Sequence, residues 1–304
     1  MNKFKKILLV FAVSVILLQG CEPVPNADLD TPNSGIIHIS VDESFKPVID
    51  SQIQVFESQF PKAKIIAEYK AEAECLKDLL KDSTRMIIIT RELTNDEEAF
   101  YKDSLKFVPS SGKVANDAVT LIVNNKSTDT LFSLSKIRGI LQGTTADRQV
   151  AVFDGLTATS TVRFAVDSIL KGQPFNRSKV FASKNTQEVI NYVSKNENAV
   201  GFVGVSWLGN NDDTAQLSFL KKVKVAALEC RCPEKTFVKP YQYNIVTRRY
   251  PLVRGLYYIM KENYSGLGSG FANFLEDEKG QLIFKYAYLG PAKMNFTVRN
   301  ATTQ

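Results

Sequence analysis

A hydroxyl-rich corner, Thr159-Ser160-Thr161, is the segment with the clearest chemical potential. A short apolar run ends at Phe153, a glycine turn follows, and apolar residues recur at helical spacing from Val162 onward. Thr159 or Ser160 can cap that helix. Hydroxyls and unpaired backbone N–H groups at the positive end of a helix suit an anion. The simpler interpretation is an ordinary capped helix after a strand. The choice between an anion site and an ordinary cap depends on the rest of the sequence.

Residues that would support an enzyme are scarce. The only histidine, His38, lies in an apolar run and is expected to have a structural role on a strand. One imidazole cannot form a histidine-rich metal site, and no nucleophile elbow, Walker loop or dinucleotide-binding glycine loop is present. A hydrolase built on Ser160 would lack a positioned base. We therefore expect no enzyme, no cofactor and no metal.

The amino terminus resembles an export signal with a lipid-attachment site. Residues 1–20 carry three lysines and then a short apolar run, too short to require a membrane span. The sequence Leu-Gln-Gly before Cys21 resembles a bacterial lipobox, in which the cysteine receives a diacylglyceryl group and becomes the first residue. Residues 21–35 then form a tether rich in proline, aspartate and asparagine. We expect a membrane-anchored protein on the periplasmic side of the cell envelope; the alternative is a plain cleaved signal.

The remaining cysteines leave several pairings open. Cys75, Cys230 and Cys232 are an odd number once Cys21 carries lipid. The Cys-Arg-Cys pair could be a metal or redox site. A loop disulfide involving Cys75, or simply buried thiols, is favoured in an exported protein.

Composition limits the partners. The net charge is +6, and removing the three lysines of residues 1–20 lowers it to +3. No dense basic run with interleaved aromatic residues is present, so nucleic acid is not an expected partner. An apolar fraction of 44% over the roughly 270 residues after the tether supports one large domain or two.

Apolar runs alternate with helical patterns along the folded part, which is typical of a parallel α/β sheet. Strands are predicted at residues 36–41, 63–69, 86–90, 118–123, 180–183, 199–204, 219–228 and 256–260. Helices are predicted at residues 45–60, 71–80, 95–105, 133–141, 162–170, 189–193, 270–275 and 280–286. Capping boxes are predicted at Thr94 with Glu97 and at Asn185 with Glu188.

Six segments, in order, resemble the phosphate-binding proteins of bacterial phosphate import, which are two-lobed periplasmic binding proteins. The segments are DAVTLIVN (117–124), LSKIRGILQG (134–143), TST (159–161), NAVGFV (198–203), YPLVRGLY (250–257) and FANFLEDEKG (271–280). The resemblance covers about residues 36–290. It implies a type II α/β fold in which each lobe is a mainly parallel sheet flanked by helices, with two crossover strands between the lobes. Lobe 1 would comprise residues 36–116 and 245–304, and lobe 2 residues 117–244.

The resemblance also implies a ligand site. Ser44 fits the hydroxyl of the family's first loop, although the neighbouring Asp42 and Glu43 are unfavourable beside an anion. The family's serine and threonine corner corresponds to residues 159–161. Its arginine shortly before that corner has no counterpart here, so Arg91 or Arg163 is the expected substitute, with a solvated charge as the simpler alternative for each.

These observations predict a lipid-anchored, monomeric solute-binding protein. Ligands of α/β lobes gather at the carboxyl ends of strands, where Ser44, Arg91 and residues 159–161 all fall. Two lobes would close on a small oxyanion, phosphate above others, and deliver it to an ABC permease. The alternative is a surface sensory or interaction lipoprotein with the same fold and a degenerate or different ligand site.

Overall fold

The computed structural model describes residues 30–145, 148–209 and 214–294. The compact unit begins at Thr31. The predicted export signal, the lipid-attachment residue Cys21 and most of the tether lie outside the described residues. Within those residues, no helix combines the length and the hydropathy that crossing a bilayer requires.

The strands and helices follow the predicted alternation closely. The strands are β1 Ser34–Asp42, β2 Lys62–Lys70, β3 Thr84–Ile89, β4 Ser110–Asn124, β5 Leu131–Phe132, β6 Val150–Phe153, β7 Val180–Ala182, β8 Ala199–Gly204, β9 Val223–Val225, β10 Ala227–Glu229, β11 Phe237–Val238, β12 Val253–Met260 and β13 Gly290–Pro291. The helices are α1 Lys46–Gln59, α2 Glu72–Asp78, α3 Asn95–Leu105, α4 Leu134–Gln142, α5 Ser160–Ala165, α6 Thr186–Lys195, α7 Thr214–Leu220, α8 Gln242–Val246, α9 Leu267–Glu276 and α10 Glu278–Tyr286. A π-helical turn, Val166–Leu170, continues α5.

One long path of strands, in the order β2-β1-β3-β12-β4-β8-β6-β7, organises the described chain. The outer pairs β1 with β2, β1 with β3, β6 with β7 and β6 with β8 are parallel, as predicted. The central strands β4 and β12 pair antiparallel with each other. The 15-residue β4 then changes partner, because its second half pairs with β8 and β9. The strand therefore connects two parallel groups, and both groups direct their carboxyl ends toward this junction.

Helix ends follow the local sequence signals. Thr94 and Glu97 form the predicted reciprocal capping box, and Gly143 ends α4 in the left-handed conformation that glycine tolerates. The second predicted box is half correct. The Asn185 side chain accepts the Glu188 N–H, but the Glu188 carboxylate accepts the N–H of Lys184 and not that of Asn185.

Two other sequence predictions are corrected by the structure. The single strand predicted for residues 219–228 is the end of α7 followed by two strands, because the chain changes partner after Ala226. The Ala226 N–H still donates to the Leu121 carbonyl on β4, whereas the Ala227 N–H donates to the Thr130 carbonyl. The chain then leaves β4 and β10 joins a separate small sheet with β5 and β11. Of the cysteine alternatives, a disulfide involving Cys75 is wrong, whereas the buried thiol is correct for Cys75. Cys230 is bonded to Cys232.

An aromatic cluster holds α1 against the carboxyl-terminal helices. The Phe56 ring is fully buried, and its centroid lies 5.0 Å from that of Phe60 and 5.3 Å from those of Phe271 and Phe274. Edge-on and tilted contacts of this kind stabilise a core beyond the area that they bury. Because Glu43 and Ser44 immediately precede α1, this packing also fixes the loop that carries them.

We expect Phe56→Ala to lower the free energy of unfolding by ~3–5 kcal/mol, since truncation of a fully buried ring loses transfer energy and leaves a cavity. Phe100→Ala is the matched control, because the Phe100 side chain is 54% exposed, and it should change stability by only ~0.5 kcal/mol. Urea unfolding followed by circular dichroism measures both values. Equal losses in the two variants would show that the cluster does not have this role.

Candidate functional site

The predicted hydroxyl corner forms the start of α5. Thr159 caps the helix by accepting the Val162 N–H, and its own hydroxyl donates to Asp154 Oδ1 at 2.9 Å. Ser160 and Thr161 are almost completely buried. The corner is therefore part of an interior surface and not a solvated cap.

Hydroxyls from both parallel groups meet at this corner. Ser44 Oγ, just after β1, lies 3.4 Å from both Ser160 Oγ and Thr161 Oγ1. The Ser44 carbonyl accepts hydrogen bonds from the Ser206 hydroxyl at 3.1 Å and the Trp207 indole N–H at 2.9 Å, in the turn after β8. The rule that functional groups gather at the carboxyl ends of strands thus brings three of the predicted residues together.

An arginine that sequence reasoning did not select lies at the centre of the cluster. Arg254 is 3% exposed and donates from Nη1 to Ser160 Oγ at 2.9 Å and from Nε to Asp117 Oδ2 at 2.8 Å. Its Nη2 is buried and makes no hydrogen bond within the described residues. Alternation along β12 could have revealed it, since a charged residue in an apolar strand at a buried position must find a partner.

A carboxylate with an unused oxygen accompanies this arginine. Asp42 Oδ1 accepts the Ser44 N–H at 2.9 Å, whereas Asp42 Oδ2 is buried without a hydrogen bond in the described chain. Burial and, secondarily, the charge of Glu72 raise the pKa of Asp42 to about 6, although Arg254 and the Ser160 hydroxyl act in the opposite direction. The cluster therefore offers one unsatisfied donor and one unsatisfied acceptor.

Two more buried carboxyl groups, those of Asp117 and Asp154, belong to the cluster around Arg254. Asp117 Oδ1 accepts the Val205 N–H at 3.3 Å, and Asp154 accepts the Thr159 hydroxyl. Burial raises the pKa of both aspartates, while Arg254 opposes the rise in each. One guanidinium thus offsets part of the negative charge of a set of carboxyl groups that would otherwise repel an anion.

The predicted ligand residue Arg163 sits at the edge of this cluster. It donates to Glu72 Oε1 at 2.5 Å and to Thr90 Oγ1 at 2.8 Å, and it pairs more loosely with Asp167. Burial disfavours ionisation of Glu72, but the hydrogen bonds and charge of Arg163 outweigh it, and the pKa of Glu72 is lowered. Arg163 therefore joins α5 to the start of α2 in this structure.

Arg91, the other predicted arginine, is placed differently. Its guanidinium binds Glu97 through two hydrogen bonds of 2.6 and 2.8 Å. Glu97 is the same residue that closes the capping box of α3. The bidentate pair directs Arg91 toward α3, so it would have to release Glu97 to contact a ligand.

Glu43, which the sequence indicated as unfavourable beside an anion, binds Thr186 at the start of α6. Its carboxylate accepts the Thr186 hydroxyl at 2.8 Å and lies 3.4 Å from the Thr186 N–H at the start of α6. A carboxylate at the positive end of a helix is stabilised by the helix dipole. Burial nevertheless raises the pKa of Glu43 to about 7, against the hydrogen bond from Thr186.

This raised pKa predicts a pH dependence. Between about pH 4.5 and 7 the folded protein keeps a proton on Glu43 that the unfolded chain has released, so stability falls as pH rises. The contribution is complete below about pH 4.5 and is lost as pH passes through about 7. We expect Glu43→Gln to remove a slope of up to ~1.4 kcal/mol per pH unit from the free energy of unfolding.

Urea titrations at several pH values measure this slope. Glu188→Gln, which removes another carboxylate near the start of α6, is the matched control and should keep the wild-type slope. Identical pH profiles for wild type and Glu43→Gln would contradict the assignment.

Comparisons with known proteins agree with the architecture. A family model described as a PBP superfamily domain matches residues 26–279. The phosphate-binding protein PstS of Staphylococcus aureus (strain bovine RF122 / ET3-1) is 21% identical over 268 residues, which span 82% of this chain and 76% of that protein.

Solved structures show the same fold. A putative phosphate ABC transporter substrate-binding protein from Clostridium perfringens, solved with bound phosphate, has a TM-score of 0.70 at 18% identity over 85% of this chain and 100% of its own. An ABC-type phosphate transport receptor from Vibrio cholerae has a TM-score of 0.61 at 18% identity, covering 84% and 99% of the two chains. These likenesses confirm the predicted two-lobed α/β fold. The names of these proteins describe binding proteins, in agreement with the expectation that the chain is not an enzyme.

Proposed function

The chain belongs to the PBP superfamily, and from that premise we propose that it is an extracytoplasmic solute-binding protein that captures a small oxyanion, phosphate above others. The captured anion would pass to the permease of an ABC importer, and the binding protein would act as a monomer. The named phosphate-binding relatives support the ligand class, and the polar cluster around Arg254 supports a site for it.

The observation that carries this proposal is the pair of unused polar atoms. Arg254 Nη2 is a buried cationic donor and Asp42 Oδ2 is a buried acceptor, and neither makes a hydrogen bond in the described chain. Buried polar groups without partners are costly, so a partner from outside the chain is a natural explanation. A ligand that accepts one hydrogen bond and donates another would satisfy both atoms.

Monohydrogen phosphate has both properties. Its oxygens can accept hydrogen bonds from Arg254 and from the serine and threonine hydroxyls, and its own hydroxyl can donate to Asp42. A fully deprotonated oxyanion such as sulfate has no proton for Asp42, so it would face a carboxylate at close range. Desolvation strengthens this discrimination, since charges interact more strongly away from water.

We assign the ligand contacts to Ser44, Thr159, Ser160 and Thr161, with Arg254 as the cation. Arg163 is a candidate at the edge of the site if Glu72 shares it, and Arg91 would contribute only after leaving Glu97.

The proposed lobe boundaries, residues 36–116 with 245–304 and residues 117–244, are supported by β4. Its pairing changes from β12 to β8 near residue 118.

The second candidate is an interaction or sensory lipoprotein with a degenerate site. The observation that favours it is the close packing of the cluster, where the Ser44 and Ser160 hydroxyls are only 3.4 Å apart and three carboxyl groups surround one arginine. In that case the side chains would satisfy one another and no anion would enter.

Calorimetric titration with phosphate tests the proposal. We expect a measurable heat that Ser160→Ala weakens by ~10–100-fold in affinity, because hydrogen bonds to a charged group contribute ~1.5–3 kcal/mol each. Thr157→Ala, an exposed hydroxyl in the same loop, should leave the affinity unchanged. Absence of heat with phosphate, sulfate, molybdate and tungstate up to millimolar concentrations would favour the degenerate-site alternative.

We also propose that Cys21 carries the lipid anchor. Cys21→Ala should abolish metabolic labelling with palmitate and move the protein from the membrane fraction to the soluble fraction, because buried acyl methylenes contribute ~0.8 kcal/mol each to membrane binding. Cys75→Ala is the control and should remain labelled. Unchanged labelling of the Cys21 variant would disprove this attachment site.

A further inference from the structure

The Cys230-Arg231-Cys232 motif lies in the connection between β10 and β11. The loop is held at both ends, because the Cys230 N–H donates to the Thr236 carbonyl and the Lys235 N–H donates to the Cys232 carbonyl. Lys235 adopts a left-handed backbone conformation with φ of 47°, which tightens the turn. The Cys230 side chain is buried, whereas that of Cys232 is partly exposed. Solvent therefore reaches the pair from one side.

Three donor groups converge in this loop. The two sulfur atoms and a carboxylate oxygen of Glu234 all lie within 4.8 Å of one another. The Thr236 hydroxyl lies 3.6 Å from Cys230 Sγ and 3.8 Å from Cys232 Sγ, so it supports both sulfurs. Glu234 pairs only loosely with Arg249, at 3.9 Å, and its side chain is 59% exposed. Its carboxylate is free enough to turn toward the sulfurs.

We propose that Cys230, Cys232 and Glu234 form a redox-gated site for one thiophilic divalent cation of the Zn²⁺ type. In the disulfide form the two sulfurs are bonded to each other, with Cα atoms 5.2 Å apart, and the site is closed. In the dithiol form the same two sulfurs and the carboxylate bind the cation. The fourth position of a tetrahedral zinc ion is then occupied by water.

Opening the site requires reduction of the Cys230–Cys232 disulfide, with a thiol as the reductant. Two small-molecule or protein thiols supply two electrons, the Cys230–Cys232 bond breaks, and one new disulfide forms between the reductant sulfurs. The two protein thiols then lose their protons to solvent as the cation binds, because thiolate is the ligand form. An oxidising compartment outside the cytoplasm would keep the site closed until such a thiol arrives.

The geometry suits zinc better than a hard cation. With Zn–S bonds of about 2.3 Å, ligand atoms around a tetrahedral ion are roughly 3.8 Å apart, so the two sulfurs have to separate from bonding distance once the disulfide is reduced. Two thiolates disfavour calcium and magnesium, which prefer oxygen ligands. The required movement is confined to the side chains of one short loop, and the Thr236 hydroxyl already lies beside both sulfurs.

Metal analysis of the purified full chain tests the proposal. The protein is reduced with a phosphine, which leaves no competing thiol, and dialysed anaerobically against Zn²⁺; a parallel sample stays oxidised. We expect about one equivalent of zinc on the reduced protein and none on the oxidised protein. Cobalt substitution should give a thiolate-to-metal charge-transfer band in the reduced sample only. Equal zinc content in both samples would overturn the proposal.

Variants test whether the bound zinc is held by this loop or elsewhere on the chain. Cys232→Ser should lose the charge-transfer band and most of the zinc, and Glu234→Gln should weaken zinc binding by about tenfold or more. Glu229→Gln, a carboxylate on the adjoining strand, is the matched control and should bind as wild type. Thermal melts show that each variant is folded. Full zinc binding by folded Cys232→Ser would exclude the site, and unchanged affinity in Glu234→Gln would exclude the third ligand.

Discussion

The buried pair of Arg254 and Asp117 is the interaction on which the centre of this structure depends. The two residues are direct cross-strand partners on β12 and β4, at the place where β4 exchanges one neighbour for the other. Both side chains are almost completely removed from water. Removing one partner of such a pair leaves an uncompensated buried charge and typically costs ~3–5 kcal/mol. The pair therefore fixes the junction of the sheet and the position of the guanidinium that donates to Ser160.

The charge of Arg254 is shared among groups that compete for it. Asp117 takes Nε, Ser160 takes Nη1, and the carboxyl groups of Asp42 and Asp154 lie within its electrostatic reach. Burial raises the pKa of all three aspartates, and the charge of Arg254 opposes the rise in each. A ligand that carries its own proton fits this balance better than one that brings only negative charge.

Particular residues show how far the sequence could predict this site. The elements were predictable because apolar periodicity and capping residues such as Thr94 act locally, and Ser44 and Ser160 were predictable because strand ends converge.

Arg254 was not selected, since a family motif shows where a residue lies and not which way a long side chain turns. Arg91 turned toward Glu97 because that carboxylate was already held at a helix start. The pairing of Cys230 with Cys232 depended on loop geometry, which spacing alone does not define.

Two polar contacts lie at the edges of the hydroxyl cluster, and each engages a carboxylate there. Glu43 binds the start of α6 through Thr186, and Glu72 binds Arg163 on α5, so each carboxylate from the first part of the chain meets a donor from the second. These contacts satisfy the charges that would otherwise surround an incoming anion. With its edge carboxylates engaged, the interior presents Arg254, the serine and threonine hydroxyls and the buried carboxyl groups of three aspartates. Under the proposed function, this surface would hold an anion through hydroxyls and one guanidinium, and its buried carboxyl groups would favour a ligand that carries its own proton.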